Sequence, residues 1–110
     1  MIYVLDEELG RVNICELLAS DLECIRRLLE NESQNTANLN IRDRAVRLAD
    51  ELNPDADYEM AWADVFLIAQ LLMTVAYSAD VMDDMVTKRR ADRLLNDFEA
   101  ATKRICKSAE

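Results

Sequence analysis

Apolar residues recur at helical spacing through most of the chain. Cys15, Leu18, Leu22, Ile25 and Leu29 stand three or four apart, which is one face of a helix. Ser20 and Glu23 have the spacing of a capping box, so this helix is predicted to start near Ser20. Ile41, Ala45, Leu48 and Leu52 mark a second helix, with Asn40 as its predicted N-cap. Ala91, Leu94, Leu95, Phe98, Ala101 and Ile105 mark a last helix over 88–107. Residues 31–40 (NESQNTANLN) read as the loop between the first two, because asparagine side chains compete with helical backbone bonds.

The stretch 54–86 has a different character. Pro54 suits the first position of a helix, and Asp55 and Asp57 suit its positive end. Its middle is apolar on nearly every side, with Gln70, Thr74 and Ser78 as one narrow polar stripe. A helix apolar all round is buried by neighbours on several sides. So short a chain has few helices to supply them, so this one is expected to be central, an oligomer interface, or both. Trp62, Phe66 and Tyr77, with Met60, Met73, Met82 and Met85, read first as core. Where that helix is left uncovered, Trp62, Phe66, Met73 and Tyr77 are its candidate self-association residues.

Residues 60–79 are numerous enough to span a bilayer, yet Asp64 lies inside them and acidic residues flank both ends, which reads against a membrane segment. A break before the last helix is expected at 86–90, capped by Thr87. Without one, a single helix over 55–107 would be about 80 Å long at 1.5 Å per residue.

At the N-terminus, residues 2–5 (IYVL) are β-prone and Asp6 to Gly10 offer a turn, so residues 1–14 form a hairpin or an extended arm. Gly10 suits a position with φ > 0. The expected fold is all-α: one domain over 1–110, a small bundle of three to four helices behind that hairpin or arm.

Composition narrows the chemistry. Among 110 residues there are one glycine, one proline and no histidine, and 51% are hydrophobic. So little turn chemistry argues against a sandwich or barrel, while the apolar share can fill a core. The missing histidine removes the commonest general base and zinc ligand. Three cysteines without a C-x-x-C spacing, and no basic segment at the start, lead us to expect a reduced cytoplasmic protein.

The net charge of −9 is unevenly spread. Residues 48–87 hold nine acidic residues and no Lys or Arg, while 88–110 hold seven basic and four acidic residues. This balance argues against binding nucleic acid or an anionic membrane directly and suits a basic protein partner. Asp50, Glu51, Asp55, Asp57 and Glu59 form the candidate partner-binding corner. Such carboxylates can also imitate a phosphate backbone, which gives a second reading as a nucleic-acid-mimicking inhibitor.

Glu59 to Ile68 resembles the second metal motif of all-α nucleotide pyrophosphohydrolases of the MazG type. Ala61 stands where that motif has its Glu, and the upstream E-x-x-E is missing. The resemblance implies magnesium held by carboxylates, for which Asp64, Asp80 and Asp83 are the candidates. Asp80-Val81-Met82-Asp83-Asp84 also resembles the aspartate-rich motif of prenyl-chain synthases, which need a second copy of it and a longer chain. From the residues, the expectation is a non-catalytic helical regulator, inhibitor or adaptor without cofactor or metal. It binds a protein partner and self-associates as a homodimer or larger homo-oligomer.

Overall fold

A computed structural model of the chain describes residues 1–53 and 55–109, with side chains as far as Lys103. Helices take up 68% of the chain, so it is mostly helical, but a three-stranded sheet at the N-terminus corrects the all-α expectation. The order is β1 (Ile2–Asp6), β2 (Gly10–Cys15), α1 (Ala19–Asn35), α2 (Leu39–Glu51), β3 (Tyr58–Glu59), α3 (Trp62–Val81) and α4 (Met85–Ala109).

Residues 1–14 form the hairpin rather than the arm. Ile2 pairs with Cys15 and Asp6 with Gly10, in antiparallel register. The Asp6 carboxylate accepts the amides of Glu8 (3.0 Å) and Leu9 (2.8 Å), and Gly10 closes the turn at φ 71. A Cβ at that φ is strained, which is why the lone glycine sits there. Cys15 therefore ends a strand instead of opening a helix. β3 adds to the free side of β1 in parallel, giving the order β2-β1-β3. Its bonds reach far along the chain: Tyr58 N donates to Met1 O (3.0 Å) and Met60 N to Tyr3 O (2.8 Å).

The helix boundaries move for identifiable local reasons. α1 starts one residue before the predicted cap: Leu18 is its N-cap, without a side-chain bond, and Ser20 lies in the first turn. Leu18 is consequently exposed. α1 continues through most of the expected loop, with the Ser33 hydroxyl and the Asn35 amide donating to the carbonyls of Glu30 and Asn31. Only residues 36–38 connect to α2. Asn38, not Asn40, caps α2, accepting the amides of Asn40 (3.0 Å) and Ile41 (3.3 Å). The far end of α2 is closed by Arg26 of α1, which donates to the carbonyls of Ala49 and Leu52 at 2.9 Å each.

α3 covers 62–81, not 54–86. The expected start at Pro54 lies outside the described residues, and residues 55–61 instead form a turn, β3 and the lead into the helix. The break before α4 comes at 82–84, earlier than expected. Asp83 takes φ 60 there, a left-handed turn made without glycine. Asp84 then holds the first turn of α4, accepting the Thr87 amide (3.2 Å) and hydroxyl (2.7 Å). Thr87 is thus the donor to a cap rather than the cap.

One core unites sheet and helices. It holds Ile2, Val4 and Val12 from the sheet, Ile25 and Leu29 from α1, Leu48 from α2, and Leu72, Leu94 and Phe98 from the α3–α4 pair. Ile105 and Cys106 lie beyond the described side chains.

Candidate interaction surfaces

α3 lies across the core rather than inside it, which corrects the expectation of a helix enclosed by its neighbours. Val65, Ile68, Leu72 and Ala79 are buried on one side. The opposite side faces water, and only 33% of its most apolar stretch is buried. Phe66 is 55% exposed, Met73 54%, Tyr77 73% and Val81 69%. Steps of seven, four and four align these four on one line of the helix. Of the methionines expected in the core only Met60 is buried, while Met82 and Met85, with Val86, carry the exposed apolar surface around the turn into α4. Trp62 is half-buried and packs on the core, its ring 6.0 Å from that of Phe66 and tilted 40°. By length and composition α3 could also cross a membrane.

Asp64, in the first turn of α3, is 2% exposed. Arg47 of α2 donates to its Oδ2 at 3.0 Å, and Arg44 Nε stands 3.0 Å from Oδ1 without the alignment of a hydrogen bond. Burial pushes the Asp64 carboxyl up, Arg47 and Arg44 pull it down, and the net direction is up. Asp80 is in the last turn of the same helix, about 24 Å away at 1.5 Å per residue, and is paired with Lys88 at 2.8 Å. Asp83 forms the turn beyond it. The three carboxylates considered as metal ligands are therefore not brought together. No group of three or more His, Cys, Asp or Glu residues among those described converges on a point.

The acidic corner is divided. Glu51 accepts the Tyr58 hydroxyl at 2.6 Å, and burial together with this bond pushes the Tyr58 hydroxyl up to about 12. Asp57 accepts Arg11 at 2.9 Å and lies 3.6 Å from the N-terminal amine. The bond from Arg11 holds its carboxyl below the ordinary range. These two carboxylates fasten the β3 segment to the fold. Asp50, Asp55 and Glu59 are exposed, with no ion pair among the described residues.

A second buried carboxylate escaped sequence reasoning. Asp21 of α1 is fully buried and accepts from Arg93 of α4. Its only signal was an acid one position from Leu22 on an apolar face. Cys15 lies nearby, and burial, then Asp97 and Asp21, push its thiol up to about 12. Cys24 lines an open cleft with Ser20, Arg27, Val75, Thr87 and Arg90, and burial raises its thiol as well, against the pull of Arg90. Neither thiol has the depressed pKa of a nucleophile.

Comparison with protein-family models, curated proteins and solved structures finds no match to this chain.

Proposed function

We propose that this chain is a non-catalytic protein–protein interaction module, a small acidic regulator or adaptor, that works through the outer side of α3. The observation that carries the reading is the line of Phe66, Met73, Tyr77 and Val81, each more than half exposed. Large contiguous apolar patches mark interaction sites, and aromatic residues and methionine are enriched in them. Asp50, Asp55 and Glu59 form a second, charge-selective surface suited to a basic protein. The absence of histidine, the raised thiols and the engagement of Asp64 and Asp80 by cations support a role without catalysis.

The test is capture by the immobilised full chain, followed by mass spectrometry. Three baits are compared: wild type, Phe66→Lys, and Asp50→Asn with Asp55→Asn and Glu59→Gln. The expected result is a protein retained by wild type and lost by at least one variant, with salt-sensitive retention at the acidic surface. Retention of the same proteins by all three baits would overturn the reading.

A further inference from the structure

We propose that the outer side of α3 is covered by a second copy of this chain, its α3 laid antiparallel across the first. This rests on the reading of α3 as an interaction surface and names the occupant.

Three observations select a second copy. The first is area. A whole aromatic side chain offers about 150–250 Å². With Phe66, Met73, Tyr77 and Val81 on the helix and Met82, Met85 and Val86 beyond it, the exposed side chains present on the order of 800 Å². That is about what one partner contributes to a standard stable interface.

The second is charge. Each chain carries −9, so two copies repel unless they meet on a neutral face. No residue between Asp64 and Asp80 is charged, and the outer side of α3 is the neutral face of an acidic molecule. A basic partner would gain nothing there and is better served by the acidic corner.

The third is the match of the line to itself. Full antiparallel overlap of two α3 helices sets Phe66 opposite Tyr77, Gln70 opposite Met73, and Trp62 opposite Val81. Phe66 and Tyr77, both more than half exposed, then meet twice across a two-fold axis, as a closed dimer requires. The same overlap keeps the acidic turns of the two copies (Asp80, Asp83, Asp84) at opposite ends of the pair. Parallel pairing would instead set the two acidic turns side by side, within a Debye length of about 8 Å.

The test is complementation by opposite charges. Phe66→Lys and Tyr77→Glu alter exposed positions, so each variant keeps the wild-type circular dichroism and melts where wild type does at dilutions that leave wild type monomeric. Light scattering is expected to give twice the chain mass for wild type and the chain mass for each variant alone. An equimolar mixture is expected to return to twice the chain mass, because the introduced lysine opposes the introduced glutamate while the native Tyr77–Phe66 contact survives at the other crossing. In a parallel pair these two positions never meet and the mixture stays dissociated.

A wild-type chain that stays at single mass, or a dimer that neither substitution weakens, would overturn the proposal. Variants that dissociate alone and fail to recombine would overturn the antiparallel arrangement. A monomer that loses a captured protein on Phe66→Lys would also overturn the second copy, while leaving the interaction module standing. A monomer that sediments with phosphatidylcholine vesicles, and ceases to on Phe66→Lys, would assign the face to a membrane and overturn both.

Discussion

Asp64 Oδ2 stands 3.0 Å from the Arg47 guanidinium, a contact that fixes the first turn of α3 to α2. The two sides of this ion pair are unequally buried. Asp64 is 2% exposed, whereas the side chains of Arg44 and Arg47 are 38% and 52% exposed. Removing the carboxylate leaves two cations that reach water. Removing both arginines leaves a buried, uncompensated charge, which costs on the order of 3 kcal/mol. Arg44→Ala with Arg47→Ala is therefore expected to destabilise more than Asp64→Asn in urea unfolding at neutral pH. The pH dependence has a definite sign. Without the arginines the folded-state pKa of Asp64 rises further above its unfolded value, so the carboxyl binds its proton more tightly when folded. Stability lost at pH 7 is then recovered as pH falls through the folded-state value toward the unfolded value of about 4.

Asp84 predicts the opposite dependence. The Thr87 hydroxyl, then the Thr87 amide, hold its carboxyl below the ordinary range. A depressed folded-state pKa adds stability above the unfolded value of about 4 and loses it as pH falls through the folded value. Asp84→Ala should lower the melting temperature by a few degrees at neutral pH. Its difference from wild type should shrink below pH 4 in thermal scans.

The two sides of the α3–α4 pair should respond differently to truncation. Phe98 is fully buried, and Phe98→Ala is expected to cost about 3–5 kcal/mol in chemical denaturation. Tyr77 is 73% exposed, and Tyr77→Ser should change the stability of the monomer by no more than about 0.5 kcal/mol. A large loss from Tyr77→Ser at dilutions where the chain is monomeric would mean that Tyr77 packs within the fold.

The thiols give a chemical check on packing. Cys15 is buried and its thiol is pushed up to about 12, so it should stay unmodified by iodoacetamide at neutral pH in the native protein. Cys24 is half-buried and raised, so it should react more slowly than the same peptide in urea. Peptide mass mapping of native and unfolded samples measures both.

Where one side of a helix was apolar and the other charged, spacing identified the buried face. Leu22, Ile25 and Leu29, Ala45 and Leu48, and Leu94 and Phe98 are all buried as their periodicity predicts. β3 was not legible, because two residues make no periodic pattern and their partners, Ile2 and Tyr3, lie at the far N-terminal end of the chain. The surplus of apolar residues on α3 was legible, but its orientation was not. With both sides apolar, periodicity does not distinguish the side turned to the core from the side turned to water. Asp64 looked like a candidate ligand because its environment depends on Arg44 and Arg47, which α2 brings across from an earlier part of the chain.

Sedimentation equilibrium of the full wild-type chain, from low to high micromolar concentration, tests the central claim most directly. The account predicts a mass approaching twice 12.6 kDa as concentration rises, with dissociation on dilution. A single species at 12.6 kDa throughout that range would contradict it.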